Sequence, residues 1–132
     1  IADKAIHLTP HFEEDKISEY KNEIDMRVSL ASIFDNIIES VIDKGNLFKT
    51  LLIHSEIIGV RGQGLMLAVQ LKDFEFNKKV IDECIENGLI VDWFLHCDDS
   101  MRIAPPLTIS TEEIQSACAI ILAAIEKISN KN

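Results

Sequence analysis

The chain has 132 residues, 47% of them hydrophobic, which is enough for one domain with its own core. Its 22 acidic residues outweigh 13 basic ones and give a formal net charge of −9, which argues against nucleic acid and anionic membranes as partners. The sequence contains no apolar run near the roughly 20 residues that a membrane-spanning helix requires.

The cysteines Cys84, Cys97 and Cys118 are odd in number and far apart, so they indicate neither a disulfide framework nor a zinc site. A reducing, cytoplasmic setting is therefore expected. The chain begins at Ile1 without an initiator Met or a signal-peptide layout. We therefore expect a processed product, a shortened piece, or part of a longer polypeptide.

Residues 1–26 give no clear element and are assigned as an N-terminal arm, with 27–132 as the folded domain. His7 and His11 precede three acidic residues and superficially suggest a metal site. Pro10 between them is incompatible with a helix that presents both rings together, and no further ligand follows at suitable spacing. No metal site is predicted, and the segment is interpreted as a polar arm or a short helix.

The first clear element is an amphipathic helix that starts near residue 30. Its apolar positions follow the spacing of one helix face: Leu30, Ile33, Phe34, Ile37, Ile38, Val41 and Ile42. Gly45-Asn46 is a possible break, although apolar residues beyond it nearly continue the phase. One long helix and two short helices are both possible.

A long buried strand is predicted next, because residues 65–71 are apolar on both faces. Gly62 and Gly64 lead into it and indicate a bulge, or a place where another backbone or a ligand comes close. No helix follows directly, so the RGxG pattern is weak evidence for phosphate binding. The glycines are interpreted as structural.

The second helix is marked by Phe76, Val80, Ile81, Cys84 and Ile85 and ends at Asn87-Gly88. Cys84 lies on its apolar face and is expected to be an inert core thiol. Leu89–Leu95 is predicted as a second strand. His96–Asp99 is interpreted as a hairpin loop rather than a His–Cys nucleophilic pair, because adjacent residues normally point apart.

The third strand contains a single arginine in an otherwise apolar stretch. Alternation places Met101 and Ile103 on one face, and Arg102 with Ala104 on the other. If the first face packs on a core, the guanidinium points away from it, where its planar donors are suited to a carboxylate. An edge-strand arginine lying in water is the alternative. Two prolines, Pro105-Pro106, then end the strand.

The last helix begins with a capping box of Ser110 and Glu113 and runs to about Ile128. The predicted order is helix, long strand, helix, strand, strand, helix. We expect an α+β fold, in which helices cover one face of a small, mainly antiparallel sheet.

Two motifs in this order resemble the C-terminal small domain of class-III aminotransferases, the pyridoxal-phosphate family of acetylornithine, ornithine and 4-aminobutyrate transaminases. They are Val60-Arg61-Gly62-Gln63-Gly64-Leu65-Met66-Leu67 and Met101-Arg102-Ile103-Ala104-Pro105-Pro106-Leu107-Thr108-Ile109. The resemblance covers about residues 30–128 and assigns 27–132 to that small domain, whereas residues 1–26 match nothing in the family.

The resemblance implies that Arg102 binds the substrate α-carboxylate. It also implies pyridoxal 5'-phosphate as cofactor, and an amino acid and a keto acid as substrates. In this family the Schiff-base lysine, the aspartate on the pyridine nitrogen and the phosphate-binding loop belong to a preceding large domain. No lysine of this chain stands in the expected context. We therefore expect a chain that is inactive alone and contributes Arg102 and part of an active-site lid.

The expected partners are the large domain of the same enzyme and a second copy of the chain. A small domain separated from its large domain exposes apolar surface, so the isolated chain is expected to dimerise. The alternative belongs to another class, a stand-alone α+β module that binds small molecules or partners without catalysis. Residues 1–26 and the missing lysine favour this alternative.

Overall fold

The computed structural model describes the backbone of residues 17–131 and the side chains of residues 21–131. The elements are α1 (Ile17–Leu51), β1 (Gly59–Gln63), β2 (Met66–Gln70), α2 (Phe74–Glu86), β3 (Asp92–Phe94), β4 (Cys97–Ile103) and α3 (Thr111–Ser129). The metal site considered at His7 and His11 lies outside the described residues. Within these residues, no helix has the length and apolar composition needed to cross a bilayer.

The chain divides into two compact units, one ending at Ile37 and one beginning at Ile38. The first unit contributes the N-terminal part of α1, whose large apolar side chains are exposed: Ile24, Met26, Val28, Leu30, Ile33, Phe34 and Ile37. Arg27 and Glu23, one helical turn apart in this part of α1, form an ion pair. The apolar residues predicted for this part of the helix face are therefore exposed, whereas Val41, in the second unit, packs against the core.

The second unit contains the sheet, whose four strands lie in the order β1-β2-β4-β3 and pair antiparallel throughout. Its core joins one face of the sheet to the helices through fully buried residues such as Val69, Met101, Val80 and Ile125. This arrangement confirms the α+β prediction.

The strand predicted over residues 65–71 is present as β2, but residues 59–63 before it form a separate strand, β1, that was not predicted, and the two strands make a hairpin. Gln63 pairs with Met66 across a two-residue loop that begins at Gly64. Gly62 and Gly64 have positive φ angles of 126° and 54°, which residues with a side chain rarely adopt. These glycines let the chain reverse, so the observed order has one strand more than predicted.

Of the two alternatives for the first helix, the structure has the single helix, which continues through Gly45 to Leu51. Gly45 is buried where α1 crosses the hairpin loop. A Cβ atom built on Gly45 would lie 2.1 Å from the carbonyl oxygen of Gly64. The glycine is therefore needed for a close backbone approach rather than for a helix break.

The predicted loop at His96–Asp99 is wrong in part, because β4 already begins at Cys97. The pairing of β3 with β4 shifts register between Trp93 and Phe94 and leaves a bulge on β4. The buried Asn77 of α2 donates from Nδ2 to the Asp98 carbonyl at 2.8 Å and so supports this bulge. The sequence pattern located the turn but not the irregular pairing beside it.

The ends of the last two helices agree with the predictions. Asn87 caps the C-terminus of α2, and Gly88 follows it with a φ of 86°. Ser110 Oγ accepts from the Glu113 amide, and the Glu113 carboxylate accepts from the Ser110 amide, which is the predicted capping box. The first turn of α3 therefore begins directly after the second motif, Met101–Ile109, which contains the two prolines.

Candidate functional site

The predicted face alternation of β4 is confirmed. Met101 is fully buried and Ile103 is 5% exposed, whereas the side chain of Arg102 is 47% exposed. Because alternate residues of a strand point to opposite faces, the guanidinium lies on the face of the sheet away from the core. The strand that carries Arg102 is thus anchored to the core through Met101 and Ile103, and the Arg102 side chain remains accessible on the outer face.

The strand register aligns four residues in one row across this outer face. Arg61 of β1 pairs with Ala68 of β2, Ala68 pairs with Arg102 of β4, and Arg102 pairs with Asp92 of β3. Directly paired residues point to the same face. The two arginines are therefore separated by the small Ala68, with Cα atoms about 10 Å apart at ordinary strand spacing.

Asp92 is the charged partner of Arg102 in the structure. Its Oδ2 accepts from Nη2 of Arg102 at 3.4 Å, and its Oδ1 accepts from the backbone amide of Trp93 at 2.7 Å. The contact is long and involves a single donor, so it is far from a bidentate ion pair. Asp92 lies within the predicted second strand, and the sequence pattern assigned it no role in the site.

The second arginine, Arg61, is occupied by its own sheet. It donates from Nη1 to Gln70 at 2.6 Å and from Nη2 to Cys97 at 3.2 Å and to Ser100 at 3.3 Å. Asp99 completes this cluster, because it accepts hydrogen bonds from Gln70, Cys97 and Ser100. These three hydrogen bonds lower the pKa of Asp99, and the bond from Cys97 has the largest effect, followed by those from Ser100 and Gln70.

This cluster gives the RGxG motif a structural explanation. Arg61 joins β1 to β2 and β4 through side chains on the outer face, and the glycines form the hairpin. No phosphate site is needed to account for either feature. The interpretation of the motif as structural therefore agrees with the contacts.

A cavity of about 340 Å³ lies at the β3–β4 side of the sheet. Asp92 and Arg102 border it together with apolar residues that include Phe48, Pro105 and Ala117. Such a mixture of a few polar groups and many apolar ones is typical of small-molecule sites. The predicted arginine and the unpredicted aspartate thus border the same space.

The chain leaves β4 through Pro105-Pro106, and a lysine of α1 holds the segment that follows. Lys44 donates from Nζ to the carbonyl of Leu107 at 2.8 Å. Ile109 donates its amide to the carbonyl of Pro106 at 3.0 Å and closes a turn. Helix, proline pair and turn together determine where the strand that carries Arg102 ends.

Most lysines of the described residues are engaged elsewhere, and Lys44, the one that holds the segment beside the cavity, donates to the Leu107 carbonyl. Lys49 donates to the Gly62 carbonyl, and Lys78, Lys79 and Lys127 pair with surface carboxylates. None of the lysines between residues 21 and 131 borders the cavity. The described residues therefore offer no amine there that could form a Schiff base, and they do not fit covalently held pyridoxal phosphate.

The thiols differ sharply in environment. Cys84 and Cys118 are buried on helices, and burial raises their pKa values to about 12 and about 11. Cys97 is partly exposed in the cluster around Asp99. The interpretation of Cys84 as an inert core thiol therefore agrees with its surroundings.

The family match and the similar proteins found by sequence comparison agree with each other. Residues 29–125 match the family described as aminotransferase class-III. The acetylornithine aminotransferase of Lactococcus lactis is 32% identical over 97 residues, which are 70% of this chain and 25% of that protein. That of Corynebacterium efficiens is 32% identical over 104 residues, or 78% of this chain and 25% of that protein.

Solved structures agree with the sequence comparison. The acetylornithine aminotransferase of Elizabethkingia anophelis is 30% identical, has a TM-score of 0.60, and aligns over 70% of this chain and 26% of its own. The chain thus spans about a quarter of the length of the relatives it matches. The stand-alone module without catalysis is not favoured by these matches. With the family match covering most of the sequence and the fold agreeing, the chain belongs to the class-III aminotransferases.

Proposed function

We propose that this chain is the C-terminal small domain of a pyridoxal-phosphate-dependent aminotransferase and that Arg102 binds the carboxylate of its substrates. The observation that supports this most directly is the half-exposed position of Arg102 on the outer sheet face, on a strand anchored by Met101. Arg102 also borders a cavity that reaches core residues such as Phe48. The chain supplies this side chain and part of a lid. The remaining groups of the active site lie in the large domain that precedes the small domain in this family.

A carboxylate is the ligand that best suits this side chain. Arginine presents planar N–H donors that match a carboxylate, and a hydrogen bond to a charged group contributes about 1.5–3 kcal/mol. Such a contact orients an amino acid for proton transfer at the carbon that bears its nitrogen. Amino donor and keto acceptor both carry this group, so one arginine serves both halves of the reaction.

The test is Arg102→Ala in the complete enzyme. Loss of one charge-assisted contact corresponds to about 10- to 100-fold weaker binding of donor and acceptor. Arg27→Ala is a matched control, because it removes an arginine from an exposed ion pair on α1. Unchanged kinetics for both substrates in the Arg102→Ala enzyme would refute the role.

The cofactor is held mainly by the missing large domain in this proposal. Pyridoxal phosphate supplies the electron sink for the reaction, and its attachment requires a lysine in a suitable site. Co-expression of the chain with a candidate large domain is the test, with the visible absorbance of bound cofactor as the measurement. The isolated chain mixed with pyridoxal phosphate should show no such band after dialysis, and a stable band there would contradict the proposal.

The exposed apolar side chains of α1 fit the same proposal. Phe34 is 63% exposed and Ile33 is 54% exposed, which is unusual for residues of this size on a regular helix face. The large domain covers them in the complete enzyme, and a second copy covers them when the chain is isolated. We expect concentration-dependent dimerisation by light scattering, and Phe34→Glu should weaken it. A chain that stays monomeric at high concentration would contradict this.

A further inference from the structure

We infer that Asp92 is a positioning residue for Arg102, holding the guanidinium ready for the carboxylate of the substrate. The inference rests on the proposed role of Arg102 and extends it to a second residue. It starts from the row of paired residues across the outer sheet face, in which Arg102 has only two direct neighbours, Ala68 and Asp92.

Only one of these neighbours can pair with a guanidinium. Ala68 has no polar side-chain atom, and its small size leaves room beside Arg102. Arg61, the next residue in the row, is itself a cation and is occupied by Gln70, Ser100 and Cys97. The orientation of Arg102 within the sheet is therefore set by Asp92.

Asp92 is itself fixed, which a positioning group requires. Its Oδ1 accepts from the backbone amide of Trp93 at 2.7 Å, so the carboxylate is tied to its own strand. Its Oδ2 is then directed toward Arg102 across the strand pair. A long arginine side chain loses considerable rotamer freedom on binding, and restraining it beforehand lowers that cost.

The geometry of the contact leaves Arg102 available to a ligand. A guanidinium has five N–H donors, and Asp92 contacts one nitrogen at 3.4 Å. Both side chains are about half exposed, at 47% for Arg102 and 54% for Asp92, and both residues are among those that line the same cavity. A substrate carboxylate can therefore take a paired edge of the guanidinium without displacing Asp92. Asp92 therefore positions Arg102 and does not compete with the substrate carboxylate for the guanidinium.

The experiment is a double-mutant cycle in the complete enzyme with Asp92→Ala, Arg102→Ala and the double variant. Asp92→Ala should raise KM for both donor and acceptor by about 3- to 10-fold and leave kcat little changed. In the Arg102→Ala background it should have no further effect, because Asp92 acts through Arg102. Asp92→Glu keeps a carboxylate and should restore most of the affinity.

A second measurement isolates the carboxylate contact. The inhibition constant of propionate, which has a carboxylate but no amino or carbonyl group, should rise in Asp92→Ala by the same factor as KM. Asp98→Ala removes an exposed acid from the strand that carries Arg102 and serves as the control, with no change expected. A purely structural role of Asp92 would lower kcat or stability without this selective effect.

The outcomes separate the two proposals. If Arg102→Ala leaves KM unchanged, the proposed role of Arg102 fails. If Arg102→Ala raises KM but Asp92→Ala has no effect, or an effect that adds independently, only the role of Asp92 fails. A lower KM in Asp92→Ala would also overturn it, because it would show that Asp92 competes with the substrate.

Discussion

Replacing Gly45 with alanine tests the close approach of the α1 backbone to the hairpin between β1 and β2. Gly45 lies inside α1, where alanine is normally preferred to glycine by about 1 kcal/mol. Helix propensity alone therefore predicts that Gly45→Ala stabilises the protein. The structure predicts the opposite, because the new Cβ atom would lie 2.1 Å from the carbonyl oxygen of Gly64.

The size of the effect follows from what would have to move. The obstructing atom belongs to the backbone of the hairpin, which Gln63 and Met66 close by pairing, so no flexible side chain can yield. Overpacking of this kind costs about 1–3 kcal/mol, and a backbone obstacle places the cost near 3. After the propensity gain of about 1 kcal/mol is subtracted, the expected loss of stability is about 2 kcal/mol.

Urea denaturation of the isolated chain measures this loss through the fluorescence of Trp93, the single tryptophan. With an m-value of about 2 kcal/mol/M, the midpoint should fall by about 1 M. Gly59→Ala is the matched control, because a Cβ atom there meets nothing within 4 Å. A Gly45→Ala midpoint equal to or above that of the parent chain would refute the close approach of α1 to the hairpin.

Three further predictions concern the capping box, the cysteines and Asp99. Ser110→Ala should lower the free energy of unfolding by about 1 kcal/mol, seen as a lower urea midpoint that Ser110→Thr largely restores. A thiol reagent should label Cys97 rapidly in the native chain and Cys84 and Cys118 only on unfolding, since burial raises the latter pKa values to about 12 and about 11. Because hydrogen bonds lower the pKa of Asp99, its stabilising contribution is present above the unfolded-state value of about 4 and is lost as pH falls through the folded value. Asp99→Asn should therefore show a smaller fall in urea midpoint on acidification, and an unchanged fall would contradict the assignment.

The last two helices and their ends could be predicted because the signals are local, whereas α1 begins at Ile17 and not near residue 30. A capping box such as Ser110 with Glu113 requires only a spacing of three residues, and the apolar stripe of α3 repeats over several turns. The alternation of Met101, Arg102 and Ile103 is local in the same sense, and it placed the arginine on the correct face. Local patterns thus give the orientation of the candidate site residue.

The hairpin and the ion pair could not be predicted because they depend on pairing between strands. The apolar residues 65–71 correctly indicated β2, but residues 59–63 carry no comparable pattern, and only the positive φ angles of Gly62 and Gly64 reveal the turn between β1 and β2. Asp92 opposes Arg102 only because β4 has a bulge beside Trp93. A regular hairpin centred on the predicted loop would have placed Asp92 one residue out of register.

The charges around Arg102 indicate how a chain of net charge −9 can serve anionic substrates. Arg61 lies in the same row as Arg102, and Asp92, Asp98 and Asp99 lie on β3 and β4. The sheet around Arg102 therefore carries no excess of positive charge, so long-range attraction of a carboxylate would be weak. The proposed recognition must then depend on the direction of the N–H donors at short range. This is why the residue that holds Arg102 in place matters as much to the proposal as the positive charge itself.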